Sequence, residues 1–308
     1  MKWFLLVLLS IIWGSSYMLM KRGLEGFTYV EVGLMRSALA GIVLLPFALY
    51  HIRSIKKQHI KPLFISIAIG TLIPNLLFAK SQAHIGGGMT GILNALSPLF
   101  IIIIGAVLFK DKTHKTQWYG ILIGLLGCIV MLYFSQKMGS EYDWMYSGLV
   151  LITAFMGALN VQIIHHYLTD IKPIALASVT LSVASILSAS YLMLKTPVWE
   201  HLQQPKGQVA FIYIAILAIV GSAIALILFN YLLSISNAVF SSSITYLMPI
   251  VSIFWGILDN EPFIWAHAVG IILIFTGIYV SNLKKTRLMR YVVKTARFMQ
   301  FRRNLRYK

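Results

Sequence analysis

Apolar runs of about twenty residues recur along almost the whole chain, divided by short stretches where charged residues, glycines and asparagines collect. A bilayer core about 30 Å thick is crossed by roughly 20 mostly apolar helical residues at 1.5 Å rise each. Every buried backbone amide must then bond within its own helix. Ten runs satisfy that length, near residues 3–20, 29–50, 62–81, 88–108, 116–134, 145–167, 174–194, 209–232, 239–258 and 263–282. The pattern predicts an all-α polytopic membrane protein of ten transmembrane helices with no sizeable soluble domain.

The pattern also repeats. Sliding the sequence on itself by 151 positions aligns Gly70 with Gly221, Phe78 with Phe229, Pro98 with Pro249 and Gly105 with Gly256. After a one-residue gap in the next loop, Asp111 meets Glu261, Gly120 meets Gly270 and Gly127 meets Gly277. At an offset of 143, Gly14 meets Gly157. Each unit holds five spans, an odd number, so the second enters the membrane from the opposite side. The expected units are 1–140 and 141–282, and inverted repeats of this kind accompany alternating-access transport, with the binding site near the midplane.

Composition agrees: 58% of the 308 residues are apolar and 11% charged, against about 45–50% and 25% in soluble domains. The net charge of +17 would suggest nucleic acid in a soluble protein. Here the cations sit between spans and in the tail, so they report orientation and lipid contact, and no nucleic-acid partner is expected. With the N-terminus in the cytoplasm, nineteen of the 26 Lys and Arg fall on that side, so both termini are expected there, in a bacterial-type inner membrane. A cleaved signal peptide is the rival for the first run, with Gly14, Ser15 and Ser16 as the small residues, but its loss would leave nine spans. One cysteine, Cys128, excludes an internal disulfide and a thiol metal site, and reads as a packing residue. Residues 283–308 form a basic tail. Arg287, Arg290, Lys294 and Arg297 share a helical face opposite Leu288, Met289, Val292 and Val293, a pattern for lying on anionic lipid.

Candidate chemistry lies in the polar residues at membrane depth. Pro98 and Pro249, expected as helix breaks in the fourth and ninth spans, free the carbonyls of Asn94 and Thr245. Ser97 and Tyr246 stand beside them. Asn75, Asn160, Gln162, Asn230, Ser15 and Ser16 cost free energy unless paired or wetted by a cavity, and interhelical hydrogen bonding alone accounts for any one of them. Trp13, Tyr17, Tyr231 and Tyr246 offer aromatic walls for an amphipathic solute. Arg36, inside the second span, either snorkels to the headgroups or makes an ion pair. Lys80, ending the third span, is the candidate for attracting a substrate carboxylate. No acidic residue falls near the midplane, so passage is expected to be uncoupled or coupled through a His or Lys, with His165 and His166 at a helix end. Gly120 with Gly124, and Gly87 with Gly91, allow close helix approach within the bundle or at a homodimer contact.

Together, Trp13-Gly14-Ser15-Ser16, Arg36, Leu96-Ser97-Pro98-Leu99 leading to Asp111, Gln117-Trp118-Tyr119-Gly120, and Leu247-Met248-Pro249-Ile250 leading to Glu261 and Gly270 resemble the EamA-type family of the drug/metabolite transporter superfamily. The resemblance covers essentially residues 1–282, with Asp111 where the family usually has Glu. It implies ten helices with both ends inside and carriage of amino acids, related metabolites or drugs. A lipid flippase is the alternative, since the same architecture can pass an amphiphile. A membrane enzyme is disfavoured: no Gly-x-Ser-x-Gly nucleophile occurs and the nine acidic residues are scattered rather than clustered for magnesium. No cofactor is called for.

Overall fold

The computed structural model describes residues 1–136, 144–258 and 265–281, and they are helical with no strand among them. The helices are α1 Lys2–Leu24, α2 Tyr29–His51, α3 Lys57–Ile67, α4 Ile73–Asn94, α5 Ser97–Leu108, α6 Lys115–Gln136, α7 Trp144–Tyr167, α8 Pro173–Lys195, α9 Val198–Gln203, α10 Pro205–Ala218, α11 Ala225–Ile235, α12 Ala238–Ser242, α13 Ile244–Leu258 and α14 Trp265–Ser281. The tail from residue 283 and the Cys128 side chain lie outside what is described.

Among the described residues, seven helical stretches are long and apolar enough to cross a membrane: Lys2–Leu24, Tyr29–Ser54, Lys57–Ile85, Met145–Tyr167, Pro173–Lys195, Pro205–Ile235 and Ala238–Leu258. The other expected spans are also helical, α5 over 12 residues, α6 over 22 and α14 over 17. Large apolar side chains such as Phe47, Ile186, Leu194 and Ile272 face outward, which suits a helix bundle whose solvent is lipid.

Two long stretches are joined by π-helical turns, Ala68–Leu72 between α3 and α4 and Ile219–Ile224 between α10 and α11. They begin 151 residues apart, the offset that aligns Gly70 with Gly221, so the sequence repeat is also a repeat of an uncommon backbone feature. Such turns insert one residue into the helical ladder and occur often at functional sites.

Equivalent helices run antiparallel. Ser182 Oγ donates to the Gly41 carbonyl while Ser185 Oγ donates to the Ala38 carbonyl, so α2 and α8 pass in opposite directions. A β-carbon added at Gly120 would meet Gly277 and Ser281, whereas one at Gly127 would meet Gly270 and Leu273. Helices α6 and α14 are therefore antiparallel too, and the small-residue pair in α6 serves packing inside the bundle.

The chain turns back between α4 and α5. His84 stacks on Tyr146 at the start of α7, while Ser66 bonds Asn160 further along that helix. Phe100 then packs on Phe155 and Phe109 stacks on His166 near the α7 end. So α4 opposes α7 and α5 runs with it. The fourth span breaks at Ala95 and Leu96, and Pro98 opens α5, where a missing amide costs nothing. Pro249 corrects the expectation of a matching break. It lies inside a continuous α13, and the interruption comes earlier, at Ser243 between α12 and α13. As the sixth residue of α13, Pro249 forfeits one intrahelical bond, to the Thr245 carbonyl, and the helix nonetheless continues.

Candidate functional site

The π-helical turn at Ile219–Ile224 gathers donors from two other helices. Trp13 Nε1 of α1 donates to the Gly221 carbonyl at 3.0 Å, and Arg36 Nε of α2 donates to Ser222 Oγ at 2.7 Å, with Nη2 reaching the Gly221 carbonyl at 3.5 Å. Gly221 permits this approach, since a β-carbon there would lie 2.9 Å from Ser16 Oγ. Arg36 thus points into the bundle. Snorkelling to the headgroups, one of its two expected roles, does not occur, because Nε and Nη2 are engaged by Ser222 and Gly221 on the turn that enters α11.

One turn further along α1, the Tyr17 ring packs against Phe78 at 5.7 Å and over Gly91, whose missing side chain makes the room. Gln82 Nε2 donates to the Tyr17 backbone carbonyl. The Tyr17 hydroxyl is buried and reaches toward Asn94 without completing a hydrogen bond of ordinary geometry, and Arg36 lies within its electrostatic range. Ser97 Oγ donates to the Asn94 carbonyl at 2.6 Å and lies 3.1 Å from Asn94 Oδ1. The carbonyl freed by Pro98 is met locally, and the Asn94 amide remains beside Tyr17.

Other expected site residues are engaged elsewhere. Asn160 accepts from Ser66 Oγ at 2.6 Å and packs on Gly70 at the first π turn. Asn75 Nδ2 donates to Ser37 Oγ at 2.8 Å, tying α4 to α2. Thr245 Oγ1 returns to the Ser242 carbonyl at 2.9 Å, and the Tyr246 ring is buried against Gly124. Tyr231 is partly buried against the core, and Asn230 is buried with Oδ1 unpaired among the described residues. Lys80 stands over the Tyr29 ring, 5.7 Å from its centre, at the start of α2. Tyr29 is seven residues before Arg36, about 10 Å along a helix, so Lys80 stands apart from the group around Arg36. The structure brings together Trp13, Tyr17, Asn94, Ser97 and Arg36, and leaves the α13 pair apart.

Sequence reasoning missed three cross-helix couples. His201 of α9 places Nδ1 2.9 Å from Glu31 Oε2, and Glu31 is fully buried while closing a capping box with Thr28. On the face where α1 begins, His59 Nε2 lies 3.0 Å from Asp170. His166 Nε2 lies 3.3 Å from Asp111. The spacing Thr28-x-x-Glu31 was the one local signal for any of them. Among the described residues no three His, Cys, Asp or Glu side chains form a metal-holding group.

The family described as the EamA-like transporter family matches residues 1–133 and 144–283. An inner membrane transporter of Escherichia coli named YedA, itself called uncharacterized, is 27% identical over 262 residues, covering 80% of this chain and 79% of that protein. A transporter of Chlamydia muridarum named for S-adenosylmethionine and S-adenosylhomocysteine is 24% identical over 270 residues, covering 84% and 85%. An uncharacterized transporter of Archaeoglobus fulgidus is 23% identical, covering 92% and 99%. A solved structure titled only as a crystal structure of protein superposes with a TM-score of 0.72 at 16% identity, covering 92% of this chain and 97% of the other; it speaks to the fold alone. Matched over both halves by one family, and similar along most of its length to proteins named as transporters, the chain is a membrane transporter and belongs to the EamA-like transporter family.

Proposed function

We propose that the protein is a secondary transporter that moves small metabolites, amino acids or related amphipathic solutes, across a bacterial inner membrane by alternating access. The two units 1–140 and 141–282 rock about the antiparallel α2–α8 and α6–α14 contacts, with both termini cytoplasmic. The observation that carries this reading is the group at membrane depth. Trp13 and Arg36 meet the π turn of the second unit, with Tyr17 and Asn94 beside them, and the partly accessible side chains of Trp13, Arg36 and Asn94 are costly there unless a solute or water meets them. The name of the Chlamydia muridarum relative supports a solute with an amino-acid end and a flat base, which the Trp13 and Tyr17 rings suit.

The test is counterflow in proteoliposomes. Purified protein is loaded with unlabelled amino acids, S-adenosylmethionine or nucleosides and offered labelled solute outside. Protein-dependent exchange of at least one solute is expected, and exchange without an imposed proton gradient matches uncoupled passage. Lipid scrambling with no solute exchange would replace the reading by that of a flippase.

A further inference from the structure

Arg36 is more than a brace for the π turn. Its Nε and Nη2 are held by Ser222 and Gly221, and among the described residues no carboxylate pairs with it. Three of the guanidinium's five donors are therefore left over, in a bundle interior where an unneutralised cation is expensive. The side chain remains partly accessible. The Tyr17 hydroxyl, on a residue 3% exposed, is the second polar group there without an ordinary hydrogen bond, and it stands one helical turn from Trp13, which shares the Gly221 carbonyl with Arg36.

The repeat itself argues against a purely structural role. Helices α2 and α8 begin at Tyr29 and Pro173, an offset of 144, which makes Thr180 the counterpart of Arg36. The first π turn, Ala68–Leu72, forms with that threonine in place of an arginine. A π turn in this fold needs no guanidinium, so the cation is a property of one half, as a binding group would be.

Resting on the transporter reading above, we infer that Arg36 and Tyr17 form the anion-receiving end of the transport site, and that the carried solute bears a carboxylate. The free edge of a guanidinium matches the planar carboxylate with two parallel hydrogen bonds, and a phenol donor serves one of its remaining lone pairs. Ser222 and the Gly221 carbonyl act as positioning groups, fixing the Arg36 side chain so that its free edge is oriented before the solute arrives. Lys80, over the Tyr29 ring at the start of α2, attracts the same charge on its way in.

The experiment measures thermal stabilisation of the purified full chain by L-amino acids and 2-oxo acids, each beside its carboxamide, with phosphorylated metabolites as a separate arm. At least one carboxylate is expected to raise the melting temperature while its amide does not. Arg36→Thr, which copies the counterpart position, should weaken that carboxylate's affinity on the order of 30-fold or more, and Arg36→Lys and Tyr17→Phe should weaken it less. If Arg36→Thr does not fold, the Lys and Phe variants carry the comparison. Equal responses to acid and amide, a response unchanged in every variant, a response only to phosphorylated compounds, or none to any carboxylate would each overturn the inference. Counterflow of uncharged solutes separates the two readings: exchange that persists in wild type and in Arg36→Thr keeps the transporter and discards the anion site, whereas absence of any exchange removes the transporter.

Discussion

At Gly41 the backbones of α2 and α8 come so close that a β-carbon would fall 2.1 Å from the Leu181 carbonyl oxygen and 2.3 Å from Ser185 Cβ. Both obstacles are rigid, so Gly41→Ala must push two helices apart and strain the Ser182 and Ser185 bonds that join them. A loss of about 1–3 kcal/mol is expected, as for other overpacked cores, read as a lower melting temperature and earlier aggregation in detergent. Gly148 is the control: nothing lies within 4 Å of a β-carbon there, so Gly148→Ala should be neutral or stabilise by about 0.5–1 kcal/mol through helix propensity. A melting temperature unchanged by Gly41→Ala would show that the α2–α8 seam tolerates separation. The sequence marks both residues as glycine in an apolar run and cannot tell them apart, because the difference lies in a neighbour 140 residues away.

The couple between Glu31 and His201 fastens α2 to the short helix α9, and that between His59 and Asp170 fastens α3 to the turn before α8. They stand on opposite faces of the bundle, and each joins the first half of the chain to the second. Their energetic weights differ with burial. Glu31 is wholly buried and also serves the Thr28 amide and hydroxyl at 2.8 Å each. Glu31→Ala strands all three partners and should cost about 3 kcal/mol or more. The Asp170 side chain is 47% exposed although His59 is only 2% exposed, so Asp170→Ala leaves one buried imidazole nitrogen short of a partner and should cost about 1–2 kcal/mol, less than Glu31→Ala. Equal shifts would mean that burial does not rank these couples. At this scale the helices were legible and their joints were not. A run of twenty apolar residues states its own length, and Gly70 with Gly221 aligned two positions that proved to be π turns. Nothing in the run announces a π turn, the break at Ala95, or a histidine meeting a carboxylate 170 residues distant, since each depends on packing between helices. Arg36 was legible as a buried charge; its direction was set by acceptors on another half of the chain. Pro249 misled because α13 continues through it despite the lost bond, and the interruption comes at Ser243 instead.

Across the whole molecule the two halves are alike in topology and unlike in packing at one equivalent place. Gly14 of α1 is pressed against α13, where a β-carbon would lie 2.6 Å from Val251 Cβ and 3.0 Å from the Met248 carbonyl. Gly157, its counterpart in α7, faces open space, with nothing within 4 Å. Under the alternating access proposed above, the two halves would exchange these two arrangements. In the exchanged state Gly157 would press on α5 and Gly14 would be released. A side chain at Gly157 therefore costs nothing in the state described here and obstructs the other one. Gly157→Val should keep the melting temperature within about 0.5–1 kcal/mol equivalents of wild type, yet reduce counterflow at least tenfold, which corresponds to disfavouring the exchanged state by about 1.4 kcal/mol. Gly14→Ala should do the reverse, lowering stability of the present state through its clash with Val251. Full counterflow in Gly157→Val would show that α7 and α5 never close on that glycine, and the transport cycle would then have to use a motion other than exchange between the halves.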